Sequence, residues 1–179
     1  DHATVLVEIV DARWRDADIP NPEDIIGKAV RAALVVCEHP GSVEIGIRLT
    51  DDAEIRDLNH EWRGQDKSTN ALSFALDGVA FSGVPVRPLG DVVVAFETCV
   101  READAEDKLL ANHLRHLVVH GTLHLLGFDH EEAEEAEECV GALMMGAAPP
   151  MMGAAPPGRS RGGGGGSYGG KGGQPMKMR

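Results

Sequence analysis

The stretch "HGTLHLLGFDH", residues 120–130, constrains this chain more than any other. It places three histidines in eleven residues, with a glycine before the last of them. Residues 107–126 are apolar over most of a helical circumference, so the helix they predict is buried. At ~100° per residue, His113, His116, His120 and His124 fall within an arc of roughly 80° on it. A buried imidazole without a partner costs about 1–3 kcal/mol. Whatever fold accepts this stripe must bring partners, water or a metal to it.

His116/His120 and His120/His124 are both spaced i,i+4, and either pair could face one ion. Gly127 selects between them. It follows Leu126 and can adopt the left-handed conformation that ends a helix. The chain can then turn back within three residues and bring His130 to the pair nearest the turn. The predicted ligands are therefore His120, His124 and His130. Three neutral imidazoles and one open position make a catalytic site, whereas structural zinc sites are usually closed by four protein ligands. Zinc, one ion per chain, suits three imidazoles, and nickel or another divalent ion could also fit. Asp129 either orients a ligand imidazole or caps the final helix. His113 and His116 are expected to be satisfied polar residues or channel lining.

The rest of the chain mixes strands and helices. "TVLVEIV" (4–10) reads as an opening strand. "NPEDIIGKAVRAALVVCE" reads as an amphipathic helix, with Asn21 as N-cap and Pro22 at its first position. "SVEIGIRL" alternates like a half-buried strand, and Asp51 or Asp52 caps a helix over "AEIRDLNHEWR". After the loop "GQDKSTN" come the strands "ALSFAL" and "LGDVVVAF", separated by an excursion or hairpin over "DGVAFSGVPVRP". "ETCVREADAE", the histidine helix and "EEAEEAEECVGALMM" complete the helices. There is no strict βαβ alternation, so the expected class is α+β. Its sheet has about four strands in mixed directions, with helices mainly on one face and the histidine helix central.

The character changes near Met144. "MMGAAPP" occurs twice in tandem and a Gly-rich tail follows. Such a segment cannot bury enough apolar surface to offset its ordering entropy. The expected organisation is one metallohydrolase domain over 1–143 and a disordered tail over 144–179.

Charge limits the function. The formal net charge is −12, yet residues from Met144 onward carry no acid, so all 29 Asp and Glu lie in the preceding part. That acidic body argues against broad binding to a phosphate backbone. No apolar run approaches the ~20 residues needed to span a bilayer, and no basic-then-apolar signal peptide is present. Cys37, Cys99 and Cys139 are odd in number and lack a C-x-x-C pattern. They are expected to be buried apolar residues in a reducing cytoplasm.

The histidine motif closely resembles the signature of the YbeY family of metal-dependent endoribonucleases. "LNHEWRGQDKSTNALSF" (58–74) and "LGDVVVAFET" (89–98) resemble two further segments of that family, in the same order. The resemblance covers roughly residues 4–143. It implies an α+β fold and zinc on His120, His124 and His130. It also implies cleavage of single-stranded RNA in maturation of small-subunit ribosomal RNA and in ribosome quality control. The family's functionally important arginine falls on Arg63. Without the resemblance, Arg63 reads as an exposed charge at a helix end. Asn70 stands where many members have Asp, Ala75 replaces a common proline, and the tail has no family counterpart.

The chemistry suits the substrate. A metal ion lowers the pKa of bound water to about 7, so hydroxide is available without a dedicated protein base. Phosphodiester displacement develops negative charge, which favours a cation and a bidentate arginine, the role implied for Arg63. The histidine offsets also match the metzincin protease framework, but Gly121 replaces the glutamate that would activate water and protonate a leaving amine. The competing functions are a metalloprotease or other metallohydrolase, and a non-catalytic ribosome assembly factor with structural zinc. Single-stranded RNA needs only a local basic groove; Lys67, Arg87, Arg101 and Arg115 are candidates, and the simpler reading of most of them is solvated surface charge. The small ribosomal subunit or its proteins could supply further docking contacts.

Overall fold

The computed structural model describes residues 3–76, 85–144 and 176–177. Two parallel strands, β1 (Ala3–Ile9) and β2 (Ser42–Thr50), are joined by a crossover that contains the short helix α1 (Arg13–Asp16) and α2 (Pro22–Val36). Asn21 caps α2 as its sequence predicts, accepting a hydrogen bond from the Asp24 amide at 3.3 Å. In β2 the alternation is clean: Val43, Ile45, Ile47 and Leu49 are all buried on the face that α2 covers. Burying each such side chain is worth about 1.5–3 kcal/mol, so the register of β2 is firmly set.

The chain continues through α3 (Asp52–Arg63) to β3 (Ala71–Ala75) and β4 (Val86–Ala95). Asp51 is the residue that caps α3, accepting from the Glu54 amide at 2.8 Å. β4 runs parallel to β2 and antiparallel to β3, which gives the mixed order β1-β2-β4-β3. Residues 77–84, most of the predicted excursion between β3 and β4, lie outside the described residues.

Helices α2, α4 (Phe96–Ala105), α5 (Leu110–Leu125) and α6 (His130–Met144) share one core with the inner sheet face. The exception to "mainly on one face" is α3. Its Ile55 packs with Leu72, Val93 and Ala95 on the opposite face. Those strand residues are apolar on that side too, and burying them requires a second cover. The neighbouring part of that face is an open cleft of about 770 Å³, lined by Leu6, Gly46, Asp91 and Phe74 among others but by none of the histidines.

The histidine helix begins at Leu110, three residues later than its apolar pattern suggests. Asp107 takes a left-handed φ of 54°, and Lys108 donates to the Ala103 carbonyl at 2.9 Å, which ends α4 first. α5 then lies at the centre, against α2, α4, α6, β3 and β4. Of the predicted tail, residues 145–175 lie outside the described residues. Met176–Lys177 form a short β5 antiparallel to β3, making a fifth strand. Among the described residues, no helix is long and apolar enough to cross a membrane.

Candidate metal centre

α5 is held so tightly that its histidine stripe has a fixed environment. Leu114, Leu117, Val118 and Leu123 are buried around it, and His113, His120 and His124 are buried with them. At the first turn, His113 Nε2 meets Glu102 Oε1 at 3.1 Å, which satisfies one side of that ring. His116, on the next turn, is more open, with Nδ1 3.6 Å from Glu137 Oε2. Burial pushes the His116 pKa down, an effect that Glu137 opposes.

The last two rings behave differently. His120 Nδ1 donates to the carboxylate of Glu137 on α6, and His124 Nδ1 donates to the Phe128 carbonyl at 3.3 Å. Their Nε2 atoms lie 2.8 Å apart, with the rings nearly perpendicular at 82°. Glutamate and a main-chain carbonyl can only accept, so each Nδ1 carries the hydrogen. A neutral ring then presents a bare lone pair at Nε2. Two lone pairs facing one another at that distance repel unless a cation or a shared proton lies between them, and paired imidazole nitrogens are ligands that a divalent cation takes. The residues present thus fit a metal.

The turn after α5 delivers a third position. Gly127 has φ 95°, and its amide donates to the His124 carbonyl at 3.0 Å. The Phe128 amide reaches the Leu123 carbonyl at 3.1 Å, closing the helix with paired bonds of the Schellman type. Asp129 caps α6: its Oδ1 accepts from the Glu132 amide at 2.9 Å, while Glu132 Oε2 accepts from the Asp129 amide at 3.1 Å. This reciprocal box fixes the entry of α6, whose first residue is His130. The side chain of His130 is not among those described. Among the described residues, no group of three possible donors converges.

A family model described as Endoribonuclease YbeY matches residues 9–142. The chain belongs to the YbeY family. The Endoribonuclease YbeY of Azorhizobium caulinodans is 54% identical over 140 residues, covering 77% of this chain and 85% of its own. That of Paramagnetospirillum magneticum is 49% identical over 138 residues, covering 75% and 84%. The solution structure of a Thermotoga maritima protein aligns over 88% of this chain and 99% of its own, with 23% identity and a TM-score of 0.43.

Arg63, the candidate phosphate-binding arginine, is the final residue of α3, and Gly64 follows with a left-handed φ of 67°. Its Nη1 is buried and, among the described residues, has no hydrogen-bond partner. Other arginines nearby are committed: Arg56 to Asp66 at 2.7 Å, and Arg48 to Glu8 at 2.6 Å and to Glu54. From Arg63 the loop 64–70 carries the chain from the α3 side of the sheet to Asn70, whose Nδ2 lies 3.4 Å from Glu102 Oε2. Glu102 in turn holds His113. No hydrogen bond or ion pair among the described residues joins Arg63 to the imidazoles.

Two of the candidate groove residues are occupied locally, as the simpler reading of them as surface charges expects. Arg101 bonds to Asp52 at 3.0 Å and to Thr98 at 2.9 Å, and Arg115 to Asn112 at 2.9 Å. Arg87 lies by His39 and helps to lower its pKa.

The residue that sequence reasoning missed is Glu137. It is one of six glutamates between 131 and 138, and composition alone does not separate it from its solvated neighbours. The available signal was position. Ala133, Ala136 and Val140 form the buried stripe of α6, and Glu137 sits on the same side at i+4 and i+1.

Proposed function

We propose that this protein is a metal-dependent endoribonuclease that cuts single-stranded RNA in the cytoplasm. Its role is in maturation of small-subunit ribosomal RNA and in ribosome quality control. Membership of the YbeY family supports RNA as the substrate, since relatives at about half identity bear the name Endoribonuclease YbeY. The observation that carries the metal requirement is the pair of Nε2 atoms of His120 and His124, 2.8 Å apart, each ring turned by an oxygen acceptor at Nδ1.

His120, His124 and His130 would hold one zinc ion per chain. Bound there, the cation supplies positive charge to the phosphodiester displacement and acidifies water at its open position. The chain's own residues orient it. Glu137 and the Phe128 carbonyl fix the rings, and the Gly127 turn and Asp129 cap set where His130 enters. Arg63 contributes a planar cation to the phosphate oxygens, where added charge stabilises the transition state most. Its buried Nη1, unpartnered among the described residues, is a donor awaiting an acceptor, a state that otherwise costs about 1–3 kcal/mol. The small ribosomal subunit or its proteins would supply contacts that an acidic body does not make with RNA by itself.

The test is cleavage of single-stranded RNA by the purified chain and by His120→Ala, with and without chelator, beside casein as a protein substrate. RNA cleavage that is lost with chelator and in the variant is the expected result. Cleavage that persists in His120→Ala overturns the site, and casein hydrolysis would replace this reading by the metalloprotease one.

A further inference from the structure

We infer that Glu137 is a positioning residue for the imidazole pair, holding His120 so that its Nε2 lone pair faces a cation shared with His124. This role rests on the metal site proposed above. One carboxylate oxygen bonds the His120 ring, and the other faces a second imidazole beyond hydrogen-bond distance. Oε1 accepts from His120 Nδ1, and Oε2 lies 3.6 Å from His116 Nδ1 one turn earlier on α5. Its side chain is only 15% exposed, so the charge is placed where an unpaired carboxylate would be costly. A histidine ligand donates its second ring nitrogen to an oxygen for two reasons: the bond fixes the tautomer, and it raises the basicity of the metal-facing nitrogen.

The geometry of α6 gives the residue a second consequence. Positions 130 and 137 are seven residues apart, two helical turns, and therefore lie on one face of the same rod. The capping box at Asp129 and Glu132 fixes the start of that rod. Ala133 and Ala136, both fully buried, pack its middle into the core. The helix that begins with the third candidate ligand thus also carries the brace for the first. Glu137 is the point where α6 grips the histidine stripe of α5.

Zinc affinity of the full chain, measured by competition with a chromophoric chelator, tests this. Glu137→Ala should bind zinc about 10–100-fold more weakly. Glu137→Gln, whose amide oxygen accepts the same N–H, should recover most of the loss. Glu138→Ala, on the exposed side of α6, should bind like the unaltered chain. Affinity within twofold of the unaltered chain in a folded Glu137→Ala overturns the role, as does a Gln variant as weak as Ala. Should Glu137→Ala fail to fold, nitrogen NMR of His120 in the unaltered, metal-free chain decides. Hydrogen on Nδ1 supports the role and hydrogen on Nε2 overturns it. If the unaltered chain binds no zinc, the metal reading falls, and the same NMR measurement still tells whether Glu137 sets the ring.

Discussion

Gly90 passes directly beneath the main chain of Phe74: a Cβ at position 90 would stand 2.0 Å from the Phe74 carbonyl oxygen. Its φ of +129° belongs to a conformation that side chains rarely adopt. The register between β2 and β4 slips at this point, Glu44 facing Pro88 while Ile45 faces Gly90, so Leu89 is the extra residue of a bulge. Both the clash and the backbone conformation oppose any side chain, and neither can be relieved by a rotamer change. Gly90→Ala should cost at least about 2 kcal/mol, read as a lowered midpoint in urea with an unchanged slope.

Gly46 provides the contrast. A Cβ there would meet Asp91 Oδ1 at 2.0 Å, but that oxygen is the end of a side chain that can rotate. Gly46→Ala should cost about 1 kcal/mol, the scale of a displaced rotamer. In an Asp91→Ala background most of that cost should vanish. Additive losses in the double variant would show that the two positions are uncoupled.

Two titratable groups give stability opposite slopes against pH. Burial, and then Arg87, holds the His39 pKa below its ordinary 6.5. The unfolded chain therefore binds the extra proton first, and the stability tied to His39 is present above 6.5 and lost as pH falls through the lowered folded value. Partial desolvation against the sheet, and then Glu44, raises the pKa of Asp91 above 3.8, although the residue still reaches solvent in the cleft. Its contribution is complete below 3.8 and lost as pH rises through the raised value. Urea midpoints between pH 3 and 8 should show that His39→Gln flattens the near-neutral slope. Asp91→Asn should flatten the acid one and leave the chain more stable at pH 7.

Cys37 and Cys99 should be silent in the folded chain. Burial pushes each thiol up to about 12, so almost no thiolate exists at neutral pH. Ellman's reagent should label neither until denaturant is added. Rapid labelling of either in native buffer would contradict the burial.

What could be read from the sequence was whatever is decided locally. Asn21 and Asp51 cap helices through bonds to amides three residues on, and Gly127 turns the chain where a left-handed residue was needed. The two Nε2 atoms of His120 and His124 meet because i,i+4 spacing on one helix brings them together. What escaped the sequence depends on distant partners. The side of the sheet taken by α3 follows from Leu72 and Val93 being apolar on the outer face, which one strand's alternation does not reveal. The end of α4 hangs on a left-handed Asp107, a conformation that Asp tolerates but does not announce. Glu137 required knowing that α6 packs against α5, because its meaning comes from the ring it touches.

Arg63 should separate catalysis from stability. Among the described residues, the buried Nη1 has no partner, a cost that offsets what the side chain gains by packing, so Arg63→Ala should leave the urea midpoint unchanged or slightly raised. Loss of one donor aimed at developing charge lowers turnover by about 10²–10³, and RNA cleavage should fall on that scale. Arg63→Lys keeps the charge but not the planar fork, and should lie between the two. Zinc affinity should be the same in all three chains, since the ligand rings are oriented by Glu137 and Phe128. If Arg63→Ala instead lowers the urea midpoint and zinc affinity together while RNA cleavage per bound zinc is preserved, Arg63 acts by packing the end of α3 and has no part in handling the phosphate.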